Sequence, residues 1–335
     1  MRQSGRDTSD VPGWTAKIAA AFHSFKSAAS RTFRRKIRST QFPEKDGGVP
    51  FNASGVVPVG PRRFVFVDNH ESASLFEFAL DADDLHVQRI RRRRLLGVAE
   101  GQLGDPEGLT RVDVDGETFL IAASSLCVAN AAGSGQRHIN DGLVRVRYTA
   151  DGDLHAEAML GFRSWLLSHE PSLAEAGALE PDAGGLNIEG LAWDPHVNAL
   201  LFGLRGPANL GLVTVIRVPL DVGVAAWTTA ALKTPSVLHV RIPQPTVTQG
   251  IRDISYDEEA GDFLILLGRS LSRGDEPFQL CTWDGGDNVT LIDVKFHQSM
   301  KPEGVTTFSS GGKRKILVVD DRGGYAVVNA RHRWH

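Results

Sequence analysis

Short, nearly all-apolar runs recur along the chain at Phe64-Val67, Thr118-Ala122, Ala199-Leu204, Phe263-Leu267 and Ile316-Val319, each bounded by Gly, Asp or Asn. They are too short for a helix face, lack a 3.6-residue period and are rich in β-branched and aromatic residues, so they predict strands buried on both faces. Ahead of each, across a polar or Gly-containing turn, stands a related phrase. Glu107-Gly108-Leu109-Thr110, Glu189-Gly190-Leu191-Ala192 and Glu303-Gly304-Val305-Thr306 share Glu-Gly-aliphatic-small, while Ser54-Gly55-Val56-Val57 and Arg252-Asp253-Ile254-Ser255 fill the same place with other chemistry.

The phrases begin 53, 82, 63 and 51 residues apart. The shorter intervals approach the roughly 40–50 residues of one four-stranded propeller blade. This spacing predicts an all-β, five-bladed propeller, with six blades as the alternative if an insertion hides one. The longest interval contains a helical pattern over residues 160–180, with Phe162, Trp165, Leu166, Leu173 and Leu179 as its candidate contacts. The last repeat, from Glu303, looks one strand short, and residues 35–42 are candidates to close the ring.

The N-terminal pattern is different. Residues 11–43 contain no Asp or Glu, and Trp14, Ile18, Phe22, Phe25, Ala29, Phe33 and Ile37 advance by three or four against a basic face. A helix is predicted within residues 12–34, so the chain divides into a basic amphipathic segment over 1–45 and a propeller over 46–335. Three readings stay open for the segment: a helix packed on the propeller or a partner, a membrane-surface or targeting helix, or disorder. With neither a signal-peptide core nor a spanning stretch, the expectation is a cytoplasmic protein.

Composition narrows the function little. The chain has 335 residues, 41% of them hydrophobic, a net charge of −3 and two cysteines far apart. These argue against a disulfide framework, a structural zinc site and nucleic-acid binding by the whole chain. The basic run at Arg89 and Arg91–Arg94 lacks interleaved aromatics. It reads as charge guarding an outer sheet edge.

The candidate chemistry lies on the axis. Equivalent positions of successive first strands converge at one height, which would gather Glu107, Glu189 and Glu303. Confined carboxylates repel and raise one another's pKa unless something positive intervenes. Ca²⁺ held by the three glutamates, the guanidinium of Arg252 with or without Arg205, and a cationic ligand are the three candidates. In the plainer alternative each Glu accepts backbone N–H bonds from a neighbouring blade and each Gly permits close approach. Arg205, Arg252, Asp253, Asn187 and His70 are the candidate ligand-binding residues.

Pro106-Glu107-Gly108-Leu109, Ile188-Glu189-Gly190-Leu191-Ala192, Gly203-Leu204-Arg205-Gly206-Pro207, Gly250-Ile251-Arg252-Asp253 and Lys301-Pro302-Glu303-Gly304 together resemble an uncharacterised bacterial propeller family, a domain of unknown function. The chain is more distantly similar to phytase-like and esterase-like propellers. The resemblance covers roughly residues 50–330. It implies the propeller fold and, through the distant relatives, acidic residues holding metal near the axis, which these glutamates match in kind only. The leading expectation is a ligand- or partner-binding module with a glutamate-lined funnel. A metal-dependent phosphoester or ester hydrolase, with Arg205 or Arg252 taking the substrate anion, is the alternative.

Overall fold

Each apolar run becomes the second strand of an antiparallel meander, covered on both faces; Phe64 through Val67 have no exposed surface. The computed structural model describes residues 36–45, 48–130 and 137–330. The helix expected within residues 12–34 lies outside them.

The described residues form twenty-two strands, beginning with the two-residue β1 (Thr40–Gln41). The first unit comprises β2 (Ala53–Gly60), β3 (Arg63–Asp68), β4 (Ser74–Leu80) and β5 (Val87–Leu96). The second has β6 (Pro106–Val114) and β7 (Glu117–Ser124), a side hairpin of β8 (Val128–Asn130) and β9 (Arg137–Ile139), then β10 (Leu143–Arg147) and β11 (Leu154–Met159). After helices α1 (Phe162–His169) and α2 (Ala174–Gly177), the third unit runs through β12 (Asn187–Asp194), β13 (Ala199–Gly206), β14 (Leu212–Pro219) and β15 (Ser236–Arg241). The fourth holds β16 (Gln249–Asp257), β17 (Asp262–Arg269), β18 (Gln279–Trp283) and β19 (Val289–Ile292). The last contributes only β20 (Pro302–Ser310), β21 (Lys313–Asp320) and β22 (Gly324–Asn329).

The arrangement is propeller-like. The first strands β2, β6, β12, β16 and β20 touch in cyclic order, and β20 returns to β2. Five apolar clusters among the described residues fill the gaps between successive units, including one between the last unit and the first. Strand β1 occupies the fourth place of the last unit, pairing Thr40 with Tyr325 and Gln41 with Gly324. The next residue, Phe42, stacks its ring on Phe66 and Tyr325, with centroids 5.4 and 5.0 Å away. The short pairing is therefore anchored by a much larger apolar contact.

Two expectations need correction. The arginine run on β5 is only partly an exposed edge: Arg92 and Arg94 keep 56% and 68% of their side chains exposed, but just beyond them β5 pairs in parallel with β11 at Leu95–Leu154 and Leu96–His155, joining the first two units into one eight-stranded sheet. Arg93 is wholly buried there, paired with Glu77 and donating to the carbonyls of Gly152 and Thr149, each at 2.7 Å. Arg91, Arg92 and Arg94 pair with Asp151, Glu71 and Asp153. In the helical insertion Phe162, Leu166 and Leu173 join the core beneath it, but Leu179 is exposed. Among the described residues no helix is long and apolar enough to cross a membrane.

Candidate functional site

The first strands share one irregularity. In each, a residue near the start is skipped by the pairing with the second strand: Gly55, Glu107, Glu189, Arg252 and Glu303, with Val59 skipped as well in β2. A bulge re-aims its residue away from the alternation of the strand, so these side chains leave the gaps between units and meet at the axis. The first-unit equivalent of Glu107 is thus Gly55 rather than Ser54, a one-residue correction to the sequence register. The following position packs against the next unit's first strand. A Cβ on Gly108 would lie 2.6 Å from Cβ of Leu191, and one on Gly190 2.9 Å from Cγ2 of Ile251, which accounts for Gly after Glu.

Asp253 takes that following position in the fourth unit and serves a different end. Its carboxylate accepts the backbone N–H of Val305 at 2.7 Å and of Ile254 at 2.8 Å, tying the fourth unit to the fifth. Burial holds its carboxyl well above the usual range, against the backbone bonds that favour its charge. Asp253 is thus bonded to backbone and not to the charged side chains around Arg252.

The glutamates are bound by side chains, not by neighbouring backbone. Arg252 donates Nε to Glu303 Oε2 at 2.6 Å and a second N–H to Glu303 Oε1. The same Nε is 2.9 Å from Glu189 Oε2, an ion pair without hydrogen-bond alignment because the N–H is directed at Glu303. Arg205 donates to Glu189 Oε1 at 2.7 Å, with Asn187 Nδ2 3.3 Å from the same oxygen. Lys301 stands 3.4 Å from Glu303 and also pairs with Asp321. Ser54 donates to Glu107 Oε2 at 2.8 Å across the boundary between the first two units.

The electrostatics follow from burial. Loss of solvent is the largest cause raising the Glu107 carboxyl well above its ordinary value, and Asp105, Glu189 and Glu303 add to it. Burial likewise pushes Glu303 up to about 7, although Arg252 pulls the other way. Burial works against the Arg252 charge, but Glu189 and Glu303 outweigh it and hold the guanidinium above its ordinary value. Arg252 therefore keeps its proton throughout the accessible range, while the Glu107 and Glu303 carboxyls are held above their ordinary values.

The linkage has a sign that can be tested. A carboxyl at 4.5 unfolded and about 7 folded contributes stability that is fully present below pH 4.5 and lost as pH rises through about 7. The swing is on the order of 3 kcal/mol. Urea titrations of wild type and Glu303→Gln at several pH values should show the variant gaining on wild type between pH 5 and 7. A gap that stays constant across that window would contradict the assignment.

Of the sequence candidates, Arg205, Arg252, Asn187, Glu189 and Glu303 thus form one bonded cluster, and Glu107 lies within reach of its charges. His70 sits at the rim, on the turn after β3. Its ring is hydrogen-bonded to Asn52. The three glutamates are not gathered around a vacant centre: Arg252 lies between two of them, and among the described residues no three His, Cys, Asp or Glu side chains are placed to hold a metal ion.

The sequence reading missed Asp105 and Lys301. Both stand two residues before their bulged Glu, the place Asn187 holds in the third unit, and that shared offset was the available signal. Burial raises the Asp105 carboxyl, and Asn140 approaches it at 3.3 Å. Cys127, also beside Asp105, is buried with its thiol pushed up by burial, which makes it a poor nucleophile.

No family model and no curated protein matches the chain. Among solved structures, the exo-beta-1,3-galactanase of Phanerochaete chrysosporium is 11% identical over 88% of this chain and 63% of its own, with a TM-score of 0.45. A putative glycoside hydrolase from Parabacteroides distasonis is 10% identical over 89% and 94%, at 0.40. Sqt1 of Saccharomyces cerevisiae is 13% identical over 84% and 73%, at 0.31.

Proposed function

We propose that the five four-stranded units are the blades of a five-bladed propeller and that the mouth of its axis, at the start of the first strands, is a funnel binding a small polar ligand. The observation carrying this reading is a pair of buried atoms without hydrogen bonds on the two residues that bind Glu189 Oε1: Asn187 Oδ1 and Arg205 Nε. A buried polar atom left unmade costs about 1–3 kcal/mol, a penalty that a polar ligand or ordered water removes. Glu107 adds a carboxyl that is neutral when its raised pKa exceeds the ambient pH. It both donates and accepts, which suits hydroxyl or amide recognition better than capture of a bare cation.

One observation favours a hydrolytic second reading. Burial raises the Glu107 carboxyl well above its ordinary value and the charge of Asp105, two residues before it, adds to the rise; an acid held up beside a second carboxyl is the arrangement that acid catalysis uses. No metal enters either reading.

A thermal-shift screen of neutral sugars, amides, carboxylates and phosphoesters tests both. At least one class should raise the melting temperature of wild type, and the rise should disappear in Arg205→Ala and Glu107→Gln while both variants remain folded. Absence of any shift, or retention of every shift by both variants, would overturn the funnel reading. Turnover of an ester or phosphoester panel that is lost in Glu107→Gln would establish the hydrolase; no turnover leaves a binding module.

A further inference from the structure

The opposite end of the same axis holds a cavity of about 860 Å³. Its size falls in the usual range for small-molecule pockets. All five first strands contribute to its wall, through residues near their C-terminal ends. The lining residues stand two to six positions along their strands from the bulged one, roughly 7–20 Å at the normal rise. It is a separate site from the funnel.

Its chemistry is uneven around the ring. Three rings line it from the third, fourth and fifth units, Trp193, Tyr256 and Phe308, and three guanidiniums from the first, second and fifth, Arg62, Arg111 and Arg314. Two of the guanidiniums are paired: Arg111 lies 2.9 Å from Asp113, and Arg314 contacts Asp257. Among the wall carboxylates Glu259 also has a partner, accepting from Ser309 at 3.0 Å, and Glu258 is exposed. Arg62 has no carboxylate partner among the described residues, and its Nε is buried without a hydrogen bond. The Nε atoms of Arg111 and Arg314 are buried and unmade as well.

The backbone of Arg62 adds a second observation. It sits in the turn between β2 and β3 at φ 53°, the left-handed region that a branched or long side chain enters at a cost and glycine enters freely. The strain is tolerated where glycine would remove it. The feature gained is a guanidinium at the cavity wall.

We propose that this cavity is a second binding site for a small organic anion with a flat apolar body, its carboxylate or phosphate held by Arg62 and its body packed among Trp193, Tyr256 and Phe308. A planar guanidinium with free N–H groups matches either anion in a forked geometry. The rings supply contact area and a cation-tolerant face for the remainder.

Calorimetric titration with benzoate, phenyl phosphate and neutral benzyl alcohol tests the site and separates the two anions. At least one of the two anions is expected to bind at least tenfold more tightly than the alcohol. Arg62→Gly removes the guanidinium while easing the backbone, so it should fold and lose at least tenfold in affinity; Arg62→Lys, which keeps the charge without the fork, should lose less. Binding by neither anion, equal binding of the alcohol, or unchanged affinity in Arg62→Gly would overturn the proposal. So would binding that survives Arg62→Gly but is abolished by Glu107→Gln, which would place the anion in the funnel. A failure of the funnel screen leaves this titration unaffected.

Discussion

Replacing Arg252 by alanine is expected to destabilise the protein by about 3–5 kcal/mol, because it strands two buried carboxylates that the guanidinium now holds together. Glu189 and Glu303 are almost without solvent exposure, at 1% and 3%, so water cannot take the place of the lost cation. Since domains are typically stable by about 5–15 kcal/mol, the loss would consume a large share of the whole. Urea unfolding at neutral pH measures it, and a loss under about 1 kcal/mol would mean that the cluster is solvated. The same cluster should make the wild-type melting temperature indifferent to EDTA. A fall on chelation would show an ion bound to the folded state and return the glutamates to the role of ligands.

The second large effect belongs to Arg93. Arg93→Ala removes the buried partner of Glu77, leaving it only the more distant Arg63 at 3.6 Å, and leaves the carbonyls of Thr149 and Gly152 unmade at the junction of two units, a change expected to cost roughly 3 kcal/mol or more. Arg93→Lys should recover only part, since one ammonium cannot reproduce a fork aimed at three acceptors. Arg94→Ala provides the contrast: its pair with Asp153 is exposed, and its unfolding midpoint should match wild type within error. Equal losses at the two positions would refute the distinction between a buried tie and a surface pair.

The strand pattern was legible because a second strand covered on both faces must be written in consecutive apolar residues, as Phe64-Val65-Phe66-Val67 and Leu264-Ile265-Leu266-Leu267 are. The Glu-Gly phrase was legible for a related reason: the close approach of Leu191 forbids a side chain at Gly108, so glycine marks the place in the three units whose bulged residue is Glu, while Val56 and Asp253 stand there in the first and fourth. The register of the first unit was not legible. There the bulged residue is itself a glycine, and the Ser54-Gly55 pair imitates Glu-Gly with the offset moved by one.

Charge partners were harder to read than positions. Nothing in the order of residues says that Arg252 reaches forward to Glu303 and back to Glu189, because those contacts span 51 and 63 positions and depend on the closed ring. For the same reason Asp253 read as a ligand residue when it is a tie to the backbone of Val305. The arginine run illustrates the opposite error. Taken alone, four consecutive cations read as a solvated edge, and only the fold brings Asp151, Asp153 and Glu77 to them.

The pairing of Thr40 with Tyr325 sets a schedule for the molecule's birth. The two residues are 285 positions apart, so at about 5–20 residues per second the early strand waits roughly a quarter of a minute to a minute for its neighbour to leave the ribosome. During that interval Phe42 has Phe66 and Phe78 to lean on but not Tyr325, and the surface of the first unit that will face the fifth stays uncovered. Slow joining of distant segments is the costly step for any fold of high contact order. Here it cannot occur before residue 325 is made, so the face of the first unit that meets the fifth stays uncovered while the three units between them are synthesised.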